Sequence, residues 1–417
     1  MSDSSDDWTG ANQRHLAAAV GVVRARFAAA AGQQEADDRL GTALAELEAA
    51  RAALPSPSAL DLLVETFDLS PFERELLLAA AGVELDAGFA AEVAPVTFGR
   101  ALAVLDEAHW SALSPGGALR RWRLIEIGSG PSLTDSPLRI DERILHHLAG
   151  VAYLDDRLAG YLDPVAEHEL VPSHQRLAGE LAAVWARAGS PLPILHLTGG
   201  DAAVRRGVAA SASAALGLGL HAMPAALLPL AADELNGLVR LWERESVLTQ
   251  TALVVEVDEL TVGDAAREAV LARLLDTVRG PLFLSGGERR APQHRPIVAF
   301  AVEAPTSDEQ RALWHQVLAG SAADLNGQVD DLVGHFRLSP AALRTAGARA
   351  LATTDGDDAE AGNDLAARLW SAAREQARPR LEGLAQRLEP SSGWDDLVLP
   401  PAERATLAEL AVQVRRR

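Results

Sequence analysis

The stretch LTGGDAAVRRGVA, Leu197 to Ala209, has the spacing of a loop that holds nucleotide phosphates. Such a loop reads G-x-x-x-x-G-K-[ST]: backbone N–H groups between a strand and a helix cradle the phosphates, the lysine pairs with the outer ones, and the hydroxyl binds magnesium. Gly199 and Gly200 open the run, but Val204 stands at the second glycine, Arg205 at the lysine and Arg206 at the hydroxyl. A guanidinium neutralises phosphate, yet its wide planar fork is a poor replacement for a compact ammonium, and it cannot ligate magnesium. Val204 adds a Cβ where the backbone has to approach the ligand. There is no lysine anywhere; all 38 Lys and Arg positions are arginine. Schiff-base and lysine-nucleophile chemistry are therefore excluded with the loop lysine. The expectation is a loop kept for its fold, with no assigned cofactor; ATP with Mg²⁺ is the alternative.

A second chemical signal is TALVVEVDEL (251–260), an apolar strand followed by carboxylates. In that order Asp258 would support magnesium and Glu259 would activate water. Glu256 interrupts the apolar run, and a strand ending there leaves no catalytic pair. Ser285, at the tip of the next strand, stands where a polar residue senses a terminal phosphate. Arg289, Arg290 and Arg344 are candidates for arginine-finger or lid-sensor roles, and each also reads as a solvated arginine. GSGPSL (128–133) lacks the serine-centred elbow of a hydrolase, and EHELVPSH (167–174) lacks the spacing of H-E-x-x-H. No residue is assigned a catalytic role, and no metal site is expected.

The elements that must position these residues follow from composition and periodicity. A chain of 417 residues accommodates two or three domains. Hydrophobic content of 48% with only 4% aromatics points to aliphatic, mostly helical packing. The net charge of −20 argues against nucleic acid and anionic membranes, which need clustered cations. Absence of cysteine removes disulfides, thiolate zinc and thiol nucleophiles. No apolar run is long enough to span a membrane and no signal segment opens the chain, so a cytoplasmic protein is expected.

Residues 1–57 read as a helical segment with a disordered tip, MSDSSDD, closed by the LPSPS break. Ser58 is a helix N-cap, and Ser70 with Glu73 forms a capping box ahead of Pro71 at the first helical position. Leu124–Ile127 and Leu138–Ile140 read as strands flanking the excursion GSGPSLTDSP, with Asp141 capping a helix. Helices followed by a two-stranded wing describe a winged-helix-like domain over 58–165. Arg120, Arg121 and Arg123 are its only basic cluster, too little for DNA, so a protein-docking role is preferred. From 185 to 305 strands and helices alternate as in a parallel α/β sheet. Helices at 306–390 form a lid.

Three runs carry a family resemblance: LVETFDLSPFERELLLAAAGVELD; HWSALSPGGALRRWRLIEI with LRIDERILHHLAGVAYLDDRL; and AREQARPRLEGLAQRLEPSSGWDDLVLPPAERATLAELAVQV. They resemble bacterial AAA+ family ATPases with an N-terminal variant winged-helix domain, some encoded with phage-tail-like contractile injection systems. The resemblance covers about 58 to 417. It implies an α-rich N-terminal region with a winged helix, then a degenerate AAA+-like parallel α/β module with its helical lid. A second AAA+ module with intact nucleotide motifs would follow; GWDDLVLPP, within 391–417, resembles its opening, and the sequence stops at Arg417 before a second phosphate loop. Gly199, Gly200, Arg205, Arg206, Asp258, Glu259 and Ser285 then map as vestiges of a nucleotide site. The expected function is a non-catalytic assembly or adaptor portion of an AAA+ ATPase that remodels proteins, with protein partners and homo-oligomerisation through the AAA-like modules. The alternatives are weak ATP binding or hydrolysis through Arg205, Asp258 and Glu259, and a winged-helix DNA binder.

Overall fold

A computed structural model of the protein describes residues 2–33, 36–261, 263–287, 294–318, 327–352, 361–377 and 398–415. The chain divides into two compact units, residues 1–309 with 339–341, and residues 310–338 with 342–417.

The first unit opens with α1 (Ser2–Ala30) packed along α2 (Ala36–Ala52). Helix α1 begins at Ser2, so the tip expected to be disordered is helical. Short helices α3 (Ala59–Phe67), α4 (Pro71–Leu85), α5 (Ala87–Val93), α6 (Phe98–Val104), α7 (Ala118–Arg121) and α8 (Glu142–Leu148) follow. The caps are those the sequence specifies. Ser58 Oγ accepts from Asp61 N at 3.0 Å, Ser70 and Glu73 close a reciprocal capping box, and Asp141 caps α8. Strands β1 (Ile125–Ile127) and β2 (Leu138–Ile140) form an antiparallel hairpin with Ile125 opposite Ile140. Leu63, Phe72, Leu76, Phe98, Leu124 and Ile144 share one core with Leu16, Val20 and Phe27 of α1.

The remainder of this unit is a six-stranded sheet. Its strands are β3 (Asp163–Pro164), β4 (Ile194–Thr198), β5 (Gly219–Pro224), β6 (Thr251–Glu256), β7 (Leu282–Ser285) and β8 (Ile297–Ala301), in the order β3-β5-β6-β7-β4-β8. All pairs are parallel except the β3–β5 edge. Helices α9 (Pro172–Arg187) and α10 (Ala202–Ala214) cover one face, α11 (Ala232–Thr249) and α12 (Ala265–Thr277) the other. Central strands buried on both sides explain their near-continuous apolar character. Leu253 and Val255 face Trp242 and Leu271, whereas Ala252 and Val254 face Leu181 and Val208. Because β7 lies between β6 and β4, the loop after β4 and the ends of β6 and β7 meet at the carboxyl edge of the sheet, where open α/β sheets bind ligands.

A buried ionic network joins residues 141–157 to α11. Arg244, fully buried, reaches Asp141 Oδ1 at 3.1 Å and Asp155 Oδ2 at 2.5 Å, and donates to the Arg123 carbonyl at 2.8 Å. Arg157 spans the same two carboxylates at 2.6 and 2.7 Å. Beside them Arg143 Nε meets Glu245 Oε1 at 2.9 Å, both nearly inaccessible. Burial pushes the Glu245 carboxyl up in spite of Arg143. For Asp155, burial works the same way, but hydrogen bonds from Arg157 outweigh it and hold the carboxyl low.

The described residues of the second unit comprise most of α13 (Ser307–Leu318), α14 (Gln328–His335), most of α15 (Pro340–Leu351), α16 (Ala361–Ala377) and α17 (Pro401–Arg415). Trp314, Leu318, Leu332, Leu343 and Leu369 are buried, and Trp370 stacks edge-on against His335 and Phe336 at 5.1 and 5.2 Å. Gly347 leaves room for Val317, whose side chain a Cβ there would strike.

Two predictions follow from the first unit. Arg244→Ala leaves buried carboxylates short of a cation and should destabilise the unit by about 3–5 kcal/mol, read as a lower urea midpoint. His147 is pushed down to about 4 from 6.5 by burial and then by Arg143. The unfolded chain therefore takes up this proton first, so the contribution is complete above pH 6.5 and is lost as pH falls toward 4. His147→Gln should flatten the fall in stability between those limits.

Candidate functional site

The site at the carboxyl edge is built around one guanidinium. Arg205 enters from the first turn of α10 and is 4% exposed. Its Nε donates to Ser285 Oγ at 2.9 Å, at the buried tip of β7. Its Nη1 donates to the carbonyls of Gly199 and Gly200, both at 2.8 Å. Its Nη2 pairs with the Asp258 carboxylate. The loop can turn its carbonyls inward because both glycines have positive φ, +74° and +54°. A Cβ at Gly199 would lie 3.0 Å from the Val302 carbonyl.

This polarity is opposite to that of a phosphate cradle. A phosphate loop converges N–H donors on an anion; here two carbonyls, a hydroxyl and a carboxylate converge on a cation. The helix N-terminus is also taken, because Asp201 caps α10 and its Oδ1 accepts from Val204 N at 2.8 Å. A carboxylate of the chain thus stands at the positive end of the helix, where a phosphate would otherwise bind.

Arg206 turns the other way, onto the end of β6, where its Nε donates to Glu256 Oε1 at 2.5 Å and its Nη2 completes a bidentate pair with Oε2. The hydrogen bond to Glu256 raises the Arg206 pKa further above its ordinary value. Strand β6 ends at Glu256, as in the reading that leaves no catalytic pair, and Asp258 follows as the partner of Arg205. Glu259 is exposed beyond it. Of the expected site residues, Gly199, Gly200, Arg205, Asp258 and Ser285 therefore meet at one point. Arg206 lies beside them with Glu256, and Glu259 stands outside. Arg289 and Arg290 fall outside the described residues, and Arg344 is an exposed residue of α15.

Three participants were not singled out from the sequence. Asp201 was legible as a cap, an Asp three residues ahead of the Val204 N–H in a loop-to-helix turn. Gly286, at φ +91°, is needed because a Cβ there would strike the Asp258 carboxylate. The buried His196 donates Nε2–H to the Gly286 carbonyl at 2.9 Å and so holds that turn, a contact between residues 90 apart. Among the described residues no cluster of His, Cys, Asp and Glu has metal-binding geometry. The basic cluster near the hairpin is partly engaged: Arg120 Nη1 donates to the Leu113 carbonyl at 3.2 Å, and Arg121 lies over the Trp122 ring. No helix among the described residues is long and apolar enough to cross a membrane.

Comparison with known proteins bears on this site from outside it. Residues 306–379 match the contractile injection system ATPase helical domain, which agrees with the resemblance to contractile-injection-associated AAA+ ATPases seen in the sequence. No curated protein matches the chain. Among solved structures the chain is similar to PCH-2 of C. elegans, at 9% identity and TM-score 0.37 over 52% of this chain and 76% of that one. It is also similar to a Rhizobiales Trip13, at 17% identity and TM-score 0.31 over 50% and 96%. A katanin structure described for its self-assembly aligns at 15% identity and TM-score 0.35 over 54% and 91%.

Removal of either arginine should be costly. Arg205→Met strips donors from two carbonyls and from the buried Ser285, and should lower stability by about 1–3 kcal/mol. Arg206→Met leaves the Glu256 carboxylate, 10% exposed, without its cation and should cost a similar amount. Urea denaturation of both variants, each with a lowered midpoint, measures this.

Proposed function

We propose that this chain is a non-catalytic, assembly-supporting portion of an AAA+ ATPase-type protein-remodelling machine of the contractile injection class. The observation that carries this is Arg205. Its guanidinium, held by four acceptors, fills the place where a lysine-bearing loop would hold phosphate. A nucleotide would have to displace the Asp258 carboxylate, turn two carbonyls away and evict Asp201 from the helix N-terminus. No single rotamer change does this, because the inward-turned carbonyls belong to the backbone path between β4 and α10.

The match of residues 306–379 supports the family reading, and the parallel sheet supports an AAA-like module without requiring it to turn over ATP. We read residues 58–165, in which the helices α3–α8 flank the β1–β2 hairpin in sequence and α4 and α7 contact it, as a winged-helix module used for protein packing. The net charge of −20 and the engagement of Arg120 and Arg121 favour that use over DNA. Homo-oligomerisation through the α/β modules is part of the proposal.

A ligand bound only by the folded state stabilises it by about 2.7 kcal/mol at a hundredfold excess over its Kd. The expected result is no change in melting temperature with ATP, with or without Mg²⁺, and no ATP turnover above background. A Mg²⁺-dependent shift, or turnover abolished by Asp258→Asn, overturns the reading.

A further inference from the structure

Between the β1–β2 hairpin, the start of α8 and the segment 153–157 lies a cleft of about 280 Å³, remote in function from the filled loop. Ligand pockets run from roughly 300 to 1,000 Å³, so this one suits one or two residues of a peptide. Its floor is the ionic network: Asp141 and Asp155 are already neutralised by Arg157 and Arg244. Its rim is not balanced. Glu84, Glu126, Glu142 and Asp156 line the cleft against Arg139 and the half-exposed Arg157, whose guanidinium is already engaged by Asp141 and Asp155. Glu126 has only a long contact with Arg157, 3.8 Å, and Glu142 one of 3.9 Å with His146. Among the described residues Glu84 and Asp156 have no ion-pair partner.

An excess of carboxylates alone is a solvated surface. The second observation is Arg143 on the cleft wall, 2% exposed, with its guanidinium 5.2 Å over the ring of Tyr153. Its Nε and Nη2 are used by Glu245, but Nη1 is buried without an acceptor. Leaving a buried charged donor unpaired costs more than a neutral one, and such groups call for an explanation. A half-buried tyrosine is what covers it, and a side-chain rotation of Tyr153 is a small motion on the scale of loop opening.

A ligand that answers both features carries an acceptor for Arg143 and, about a side chain away, a cation for the rim. A metal ion offers no acceptor, and a phosphate is repelled by the rim. We infer that the cleft is a docking site for a peptide segment of a partner protein bearing arginine or lysine. A main-chain carbonyl meets Arg143, and the basic side chain lies among Glu126, Glu142 and Asp156. The site is independent of the nucleotide question and stands or falls separately.

The test is a fluorescence-polarisation titration of the full chain with a short labelled alanine peptide carrying arginine, at about 0.15 M salt, where diffuse attraction is screened beyond ~8 Å. The double variant Glu142→Gln, Asp156→Asn changes exposed residues only and should retain its melting temperature. It should weaken the peptide about tenfold, the effect of losing charge-assisted contacts. The control Glu46→Gln, Glu48→Gln, on the exposed side of α2, should leave affinity unchanged. Spermidine, a cation with no carbonyl, should compete at least about tenfold less well than the peptide. Equal weakening by the control variant would show attraction to the protein's overall charge. Equal competition by spermidine would show that Arg143 has no part, and either result, or absence of binding, overturns the inference.

Discussion

A guanidinium taken out of water is costly unless acceptors gather around it, and that constraint organises much of this protein. With no lysine in the chain, every interior cation is an arginine, five donors in a fixed plane. Arg205 draws in the Gly199 and Gly200 carbonyls, Ser285 and Asp258. Arg244 draws in Asp141, Asp155 and the Arg123 carbonyl. Arg295 is satisfied almost wholly by backbone, the carbonyls of Leu192, Val278 and Gly280. Burial pushes Arg295 down to about 10, which still leaves it charged at neutral pH. Each of these residues ties together segments far apart in sequence.

Seen this way, the loop between β4 and α10 is a filled site whose polar groups converge on a cation of the chain. The Asp258 carboxylate after β6 pairs with Arg205, and Ser285 at the tip of β7 accepts a hydrogen bond from it. The carbonyls of Gly199 and Gly200 complete the set, so one guanidinium ties the loop to the ends of β6 and β7.

The bracing extends beyond the sheet. Asp141 and Asp155 belong to the segment that follows the β1–β2 hairpin, while Arg244 and Glu245 belong to α11 on the face of the sheet opposite α10. Breaking one member of such a buried set is costly because the others remain charged and desolvated. The N-terminal helices and the α/β sheet of the first unit are thus coupled through side chains as well as through the chain.

Local patterns were legible in the amino-acid order because their causes are local. The Ser70–Glu73 box, the Asp141 cap and the apolar strands around 194–198 and 251–256 depend on neighbours within a few residues or on burial by periodicity. That Arg205 stands at the lysine position of the G-x-x-x-x-G-K-[ST] spacing was likewise plain. What Arg205 does instead was decided by tertiary structure alone. Its acceptors lie 5, 6, 53 and 80 residues away, and only the placing of β7 between β6 and β4 brings them to one atom group. Glu256 shows the same limit: in sequence it interrupts an apolar run, and in space it is the partner of Arg206. Periodicity reports which face of an element is buried; it carries no information on which distant charge that face will meet.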